Sequence, residues 1–211
     1  MTKVFKLPKP ILQDIQSVYK GFSHPACSQD CGEHCRTQNP NDKPFCCDPT
    51  FAIPALYNTE YKQLEQLTDL WFSAENTVKI DSLPDGMSLH RCQGPQLCQR
   101  GYRSISCRSF PFFPYITSDY EFLGLAVEWE FQEVCWLANH LLLVEQTFRD
   151  EFINTYDQLF VQYQDVFDNY HEHSIRCRNA HLSLGKKVKV LHRNGKNYWV
   201  DATTEVKKAV K

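Results

Sequence analysis

Ten cysteines occur in 211 residues, and nine of them lie between Cys27 and Cys135. They run as Cys27-x3-Cys31-x3-Cys35, the adjacent pair Cys46-Cys47, Cys92-x5-Cys98-x8-Cys107, and then Cys135, with Cys177 standing apart. Short, repeated spacings let several sulfurs converge on one point. Thiolate is a soft, anionic ligand that selects zinc, copper(I) or iron–sulfur chemistry over hard cations. A tetrahedral site takes four ligands, so nine thiols supply two such sites with one left over. Neighbouring side chains diverge, so Cys46 and Cys47 are expected to serve one site each, or to let one sulfur bridge two metals.

Four thiolates around one divalent ion leave a charge of −2, which calls for cationic partners. Arg36, Arg91, Arg100, Arg103 and Arg108 all lie within the cysteine segments, and at least one is expected to stand behind the ligands. His173, Cys177 and His181 are spaced so that a continuing helix would align them, which suits added ligands; a polar helix end with chance spacing is the simpler reading. His24, His34 and His90 flank cysteines and read as loop residues, His34 being the best placed. Glu128 and Glu130 would share one face of a strand, near Glu133 and Cys135, and iron accepts carboxylates; an exposed charged face is the plainer account. No phosphate-binding glycine loop, dinucleotide fingerprint or Walker motif is present.

The order Cys27-x3-Cys31-Gly32, Cys46-Cys47, Cys92-x5-Cys98 and Cys107-Arg108-Ser109-Phe110-Pro111 resembles the YkgJ-like family, the zinc- or iron-chelating cysteine-cluster domain. The matching region covers residues 27–112. Three features depart from the family pattern: a first pair separated by three residues, ten residues between Cys35 and Cys46, and the extra Cys35. Which of Cys27, Cys31 and Cys35 ligate is therefore open. The resemblance implies zinc or iron, with an iron–sulfur cluster as one form, and gives no reaction. The expected ligands are Cys27, Cys31, Cys46, Cys47, Cys92, Cys98, Cys107 and Cys135, the last where a late family cysteine could lie.

Apolar residues make up 42% of the chain and aromatics 13%, enough for a sizeable core without cross-links. The formal charge is −2, and this near-neutral total signals no nucleic-acid partner. No run approaches a membrane span, and the N-terminus lacks the apolar core of a signal peptide. A cytoplasmic chain is expected, where clustered cysteines serve as metal ligands or redox thiols rather than structural disulfides.

The elements that must position the thiols follow from periodicity. Ile11, Leu12, Ile15, Val18, Tyr19 and Phe22 predict a helix ending near Gly21. Residues 23–50 show no period, and a metal could order them. A helix is predicted over 55–72 on Tyr57, Tyr61, Leu64, Leu67 and Trp71, then short extended pieces over 73–90 with a turn at Pro84-Asp85-Gly86. After an irregular stretch over 91–114, Tyr115-Ile116 and residues 122–127 suggest a strand pair. Residues 136–170 read as one long aromatic helix or two broken ones, with the stripe assigned to the core. Asn194-Gly195 between alternating residues predicts a hairpin, followed by a short basic end read as solvated.

The expected fold is α+β, mostly helical, with short strands and irregular cysteine loops pinned by metal. One cysteine-cluster domain is expected over 1–183, and a C-terminal hairpin with its basic tail over 184–211. The expected function is a cytosolic protein holding zinc or iron through thiolates. An iron-dependent enzyme, such as an oxidoreductase using the cluster region as its active site, is the alternative from another class, and a zinc-stabilised interaction module a third. No catalytic residue, substrate or protein partner is indicated.

Overall fold

The structure, a computed structural model, describes residues 8–74 and 83–210. Helix α1 (Leu12–Gly21) forms where the apolar period placed it, burying Ile15 and Val18. The Asp14 carboxylate accepts from the Ile11 amide at 2.9 Å, satisfying one of the free N–H groups at the helix start. The aperiodic stretch after it is not wholly irregular. It holds helix α2 (Cys31–Arg36), whose first amides at Gly32 and Glu33 are capped by the Asp30 side chain, and a 3-10 turn, Phe45–Cys47.

The single helix predicted over 55–72 is instead three elements: strand β1 (Ala55–Tyr57), helix α3 (Asn58–Leu67) and strand β2 (Trp71–Ser73). Both short strands pair antiparallel with β3 (Met87–Cys92), in the order β1-β3-β2. The turn at Pro84–Gly86 is present, with Gly86 at φ +82° and the Met87 amide donating to the Pro84 carbonyl. The extended pieces expected between 75 and 82 lie outside the described residues. Helix α4 (Ile105–Ser109) then leads through the cis Phe110–Pro111 peptide into β4 (Phe112–Ile116) and β5 (Phe122–Val127).

The aromatic stretch is broken. A short helix α5 (Trp136–Asn139) precedes α6 (Gln146–Gln162) and α7 (Gln164–Ser183), with extended backbone at Tyr163 between the last two. The tail hairpin is β6 (Val188–His192) and β7 (Asn197–Val200), followed by β8 (Lys207–Ala209). Strand β6 pairs with β5, which yields a five-stranded antiparallel sheet, β4-β5-β6-β7-β8.

That sheet overturns the expectation of a mostly helical fold. Helix takes 45% of the described residues and strand 18%, in a mixed α+β architecture with two sheets among them. Strands β4 and β5 are buried on both faces. One face packs Phe112, Phe122, Leu125 and Leu191 toward Phe148, Phe152 and Tyr156 of α6. The other packs Phe113, Tyr115, Leu123 and Val190 against Cys177 of α7. Among the described residues no helix is long and apolar enough to cross a membrane.

Candidate metal centre

All ten cysteines are free thiols. On α2, Cys31 and Cys35 stand one turn apart and so share a face. The Cys27 thiol donates to the Gln29 carbonyl at 3.2 Å. Its interaction with Cys31 is the main influence holding the Cys27 thiol below its ordinary range, and the same interaction, reinforced by burial, pushes Cys31 up. Cys135 closes the group from the start of α5. Burial pushes it up to about 11, and the charges of Cys35 and Cys27 add to the effect. The helices are fixed to each other by aromatic stacking: Trp136 lies 4.1 Å from the His34 ring and 4.2 Å from His140.

The 3-10 turn Phe45–Cys47 carries the adjacent pair, with the two Sγ atoms 3.8 Å apart. Its geometry depends on the buried Asp48. That carboxylate accepts from Asn41 at 2.8 Å, from Asn39 at 3.0 Å and from the Thr50 amide at 3.0 Å. Burial opposes its ionisation, yet these bonds outweigh burial and hold it well below the usual carboxylate range. The ten-residue stretch after Cys35 is thus tied to the Cys46–Cys47 turn by polar side chains.

The pair divides. Cys46 is raised by its bond to Cys47 and by burial, and it also feels the charges of Cys31 and Cys35. Cys47 is lowered by its bond to Cys46, and the Arg103 guanidinium favours its ionised form. Cys47 in turn acts on Cys92 and on Cys107, whose thiol burial drives up to about 12. Cys92 is raised by burial and feels Cys98 as well. It is held in β3 opposite Trp71 of β2, and the Trp71 indole donates to the Tyr102 carbonyl at 2.8 Å. Cys107 sits in the first turn of α4, its amide bonded to Ser104 Oγ. Arg103 Nε donates to Cys98 Sγ at 3.1 Å.

Cys27, Cys31 and Cys135 pack in one apolar cluster and Cys92 and Cys107 in another, and by mutual electrostatic influence the remaining thiols sort with them on either side of Cys46–Cys47. One neighbourhood holds Cys27, Cys31, Cys35, Cys46 and Cys135; the other holds Cys47, Cys92, Cys98 and Cys107. Cys35, set aside as surplus from its place in the sequence, belongs to the first, and its helical spacing from Cys31 was the available signal. As they stand, no three His, Cys, Asp or Glu side chains among the described residues form a group that could hold a metal ion. In chemistry the donors fit a soft cation.

The arginines have separate tasks. Arg103 alone among them bonds a sulfur, among the described residues. Arg108 instead gathers backbone carbonyls, from Phe22, Arg103 at 2.9 Å and Gly101 at 2.7 Å, tying the Cys98–Cys107 segment to the end of α1. Arg36 pairs with Glu33, and Arg100 donates to the Ser23 carbonyl.

The remaining candidates lie elsewhere. His173, Cys177 and His181 do share one helix, α7. His173 Nε2 pairs with Glu128 at 2.8 Å, while His181 Nδ1 meets the Cys177 carbonyl at 2.9 Å and its other nitrogen bonds Gln132. Each imidazole is thus committed to a structural bond. Glu128 follows β5 and Glu130 lies in a 3-10 turn, so the pair does not alternate along a strand. His24 pairs with Glu151, and His90 is buried against Tyr61.

No family model, curated protein or solved structure matches this chain.

Proposed function

We propose that this protein binds zinc or iron, the latter as single ions or an iron–sulfur cluster, through two adjoining thiolate sites in a reducing, cytoplasmic setting. One site draws four ligands from Cys27, Cys31, Cys35, Cys46 and Cys135; the other uses Cys47, Cys92, Cys98 and Cys107. The metal would supply cross-linking of the loops that carry these thiols. The resemblance to the YkgJ-like cysteine-cluster domain points the same way. What supports the reading is the 3.8 Å approach of the Cys46 and Cys47 sulfurs, with Cys27, Cys31 and Cys135 packed in one apolar cluster and Cys92 and Cys107 in another. Cysteines in reducing, cytosolic surroundings stay as thiols and are available as ligands.

The test is elemental analysis of anaerobically purified Cys46→Ser and Cys107→Ser variants beside the parent chain. Each substitution is expected to remove about half of the bound metal, because each breaks one four-ligand set. A variant that retained the parent stoichiometry would remove its cysteine from the ligand set. Should iron be found, a brown colour bleached by dithionite distinguishes a cluster from single ions.

A further inference from the structure

The charge of this chain is unevenly placed. Residues 184–211 carry eight of the 23 Lys and Arg residues but two of the 25 acids, so the formal total of −2 conceals a basic end. The sheet gives that charge a surface. Lys189 of β6 lies opposite Trp199 of β7, and Trp199 lies opposite Lys208 of β8. Residues opposite one another on antiparallel strands project to the same face, so the three make a Lys–Trp–Lys row across the sheet. The Lys189 ammonium lies 5.5 Å from the centre of the Trp199 ring. Trp199 is 38% exposed, and all three residues of β8 are exposed. Lys187, exposed, immediately precedes β6.

We infer that this row is a docking platform for single-stranded nucleic acid, with a base stacked on Trp199 and flanking phosphates met by Lys189, Lys208 and Lys187. An exposed aromatic set among cations near the edge of the sheet supplies the two things a single strand needs, a stacking surface and counter-charge for its backbone. An anionic lipid surface asks for a broad apolar face that sinks into the headgroup layer; here the one large ring is hemmed by cations. The platform is separate from the thiol groups, so it stands whether or not these hold metal.

The test is fluorescence anisotropy of a labelled oligothymidylate of about 20 nucleotides, a length that exceeds the footprint of a single domain, with the full-length protein. Binding is expected at about 50 mM salt and should weaken steeply by about 200 mM, as phosphate contacts do. Trp199→Ala should weaken it about 5- to 100-fold, the range for losing one stacked base, while Trp199→Phe keeps most of the affinity. Lys189→Glu with Lys208→Glu should abolish binding while leaving the melting temperature and metal content unchanged. No binding at low salt, binding indifferent to Trp199→Ala, or binding to phosphatidylserine vesicles without binding to the oligonucleotide would each overturn the inference.

Discussion

Arg103 Nε donates to Cys98 Sγ across 3.1 Å, while the same guanidinium bears electrostatically on Cys47 and Cys107. One cation therefore serves three of the four thiols in the second neighbourhood, easing the crowding of negative charge when they ionise. Arg103→Ala is expected to weaken metal retention about 10- to 100-fold, the usual cost of losing a group that orients ligands. Chelator competition reads this directly, and Arg103→Lys should recover part of the loss. Unchanged retention in Arg103→Ala would show that the guanidinium is only a packing element.

Asp48 gives a second prediction. Asp48→Ala strands the donors of Asn39, Asn41 and Thr50, and orphaned buried donors cost about 1–3 kcal/mol. Urea unfolding should show that loss, and metal content should fall with it because Cys46 and Cys47 hang from the same turn. If the loop were ordered by metal alone, the loss would vanish once the parent chain is stripped by a chelator.

Glu60 sets a pH dependence. Its carboxyl is buried among Tyr19, the Ile105 amide and the Tyr57 amide, and burial raises its pKa to about 7 against these bonds. The native state thus holds a proton that the unfolded chain releases near its ordinary value of 4.5. Between those limits the native state binds more protons, so stability falls as pH rises toward 7, by about 1–3 kcal/mol. Urea midpoints of Glu60→Gln should change less across this window than those of the parent. Parallel curves would contradict the assignment.

Gly124 tests the sheet. It sits at φ +139° in β5, and a Cβ there would come within 2.3 Å of the Leu191 carbonyl oxygen in β6. Backbone cannot yield as a side-chain tip can, so Gly124→Ala should cost at least about 1–3 kcal/mol, the range for overpacking. Thermal melting measures it, and a melting temperature equal to the parent's would mean that β5 and β6 are not paired at this register.

Local periodicity made α1, the β4–β5 pair and the β6–β7 hairpin legible, because each carries its own signal. Ile15 and Val18 repeat at helical spacing, and Asn194-Gly195 marks the turn. The failures came where partners are distant. Tyr57 and Trp71 fit one helical face, yet they end up in strands β1 and β2, which exist through pairing with β3. The five-stranded sheet depends on β6 reaching back to β5, which no window of sequence displays. At the candidate site, the adjacent pair Cys46-Cys47 was the legible part. The choice of Arg103 over its neighbours was not, because five arginines share the same segments and the turn geometry alone aims one at sulfur.

These thiols are expected to hold metal. The most direct measurement is anaerobic purification of the intact chain with elemental analysis and acid-labile sulfide determination. The account predicts zinc or iron at about two equivalents per chain, one for each set of four ligands, or iron with matching sulfide. A chain that emerges with neither metal nor sulfide, and takes up neither zinc nor ferrous iron when supplied, contradicts it.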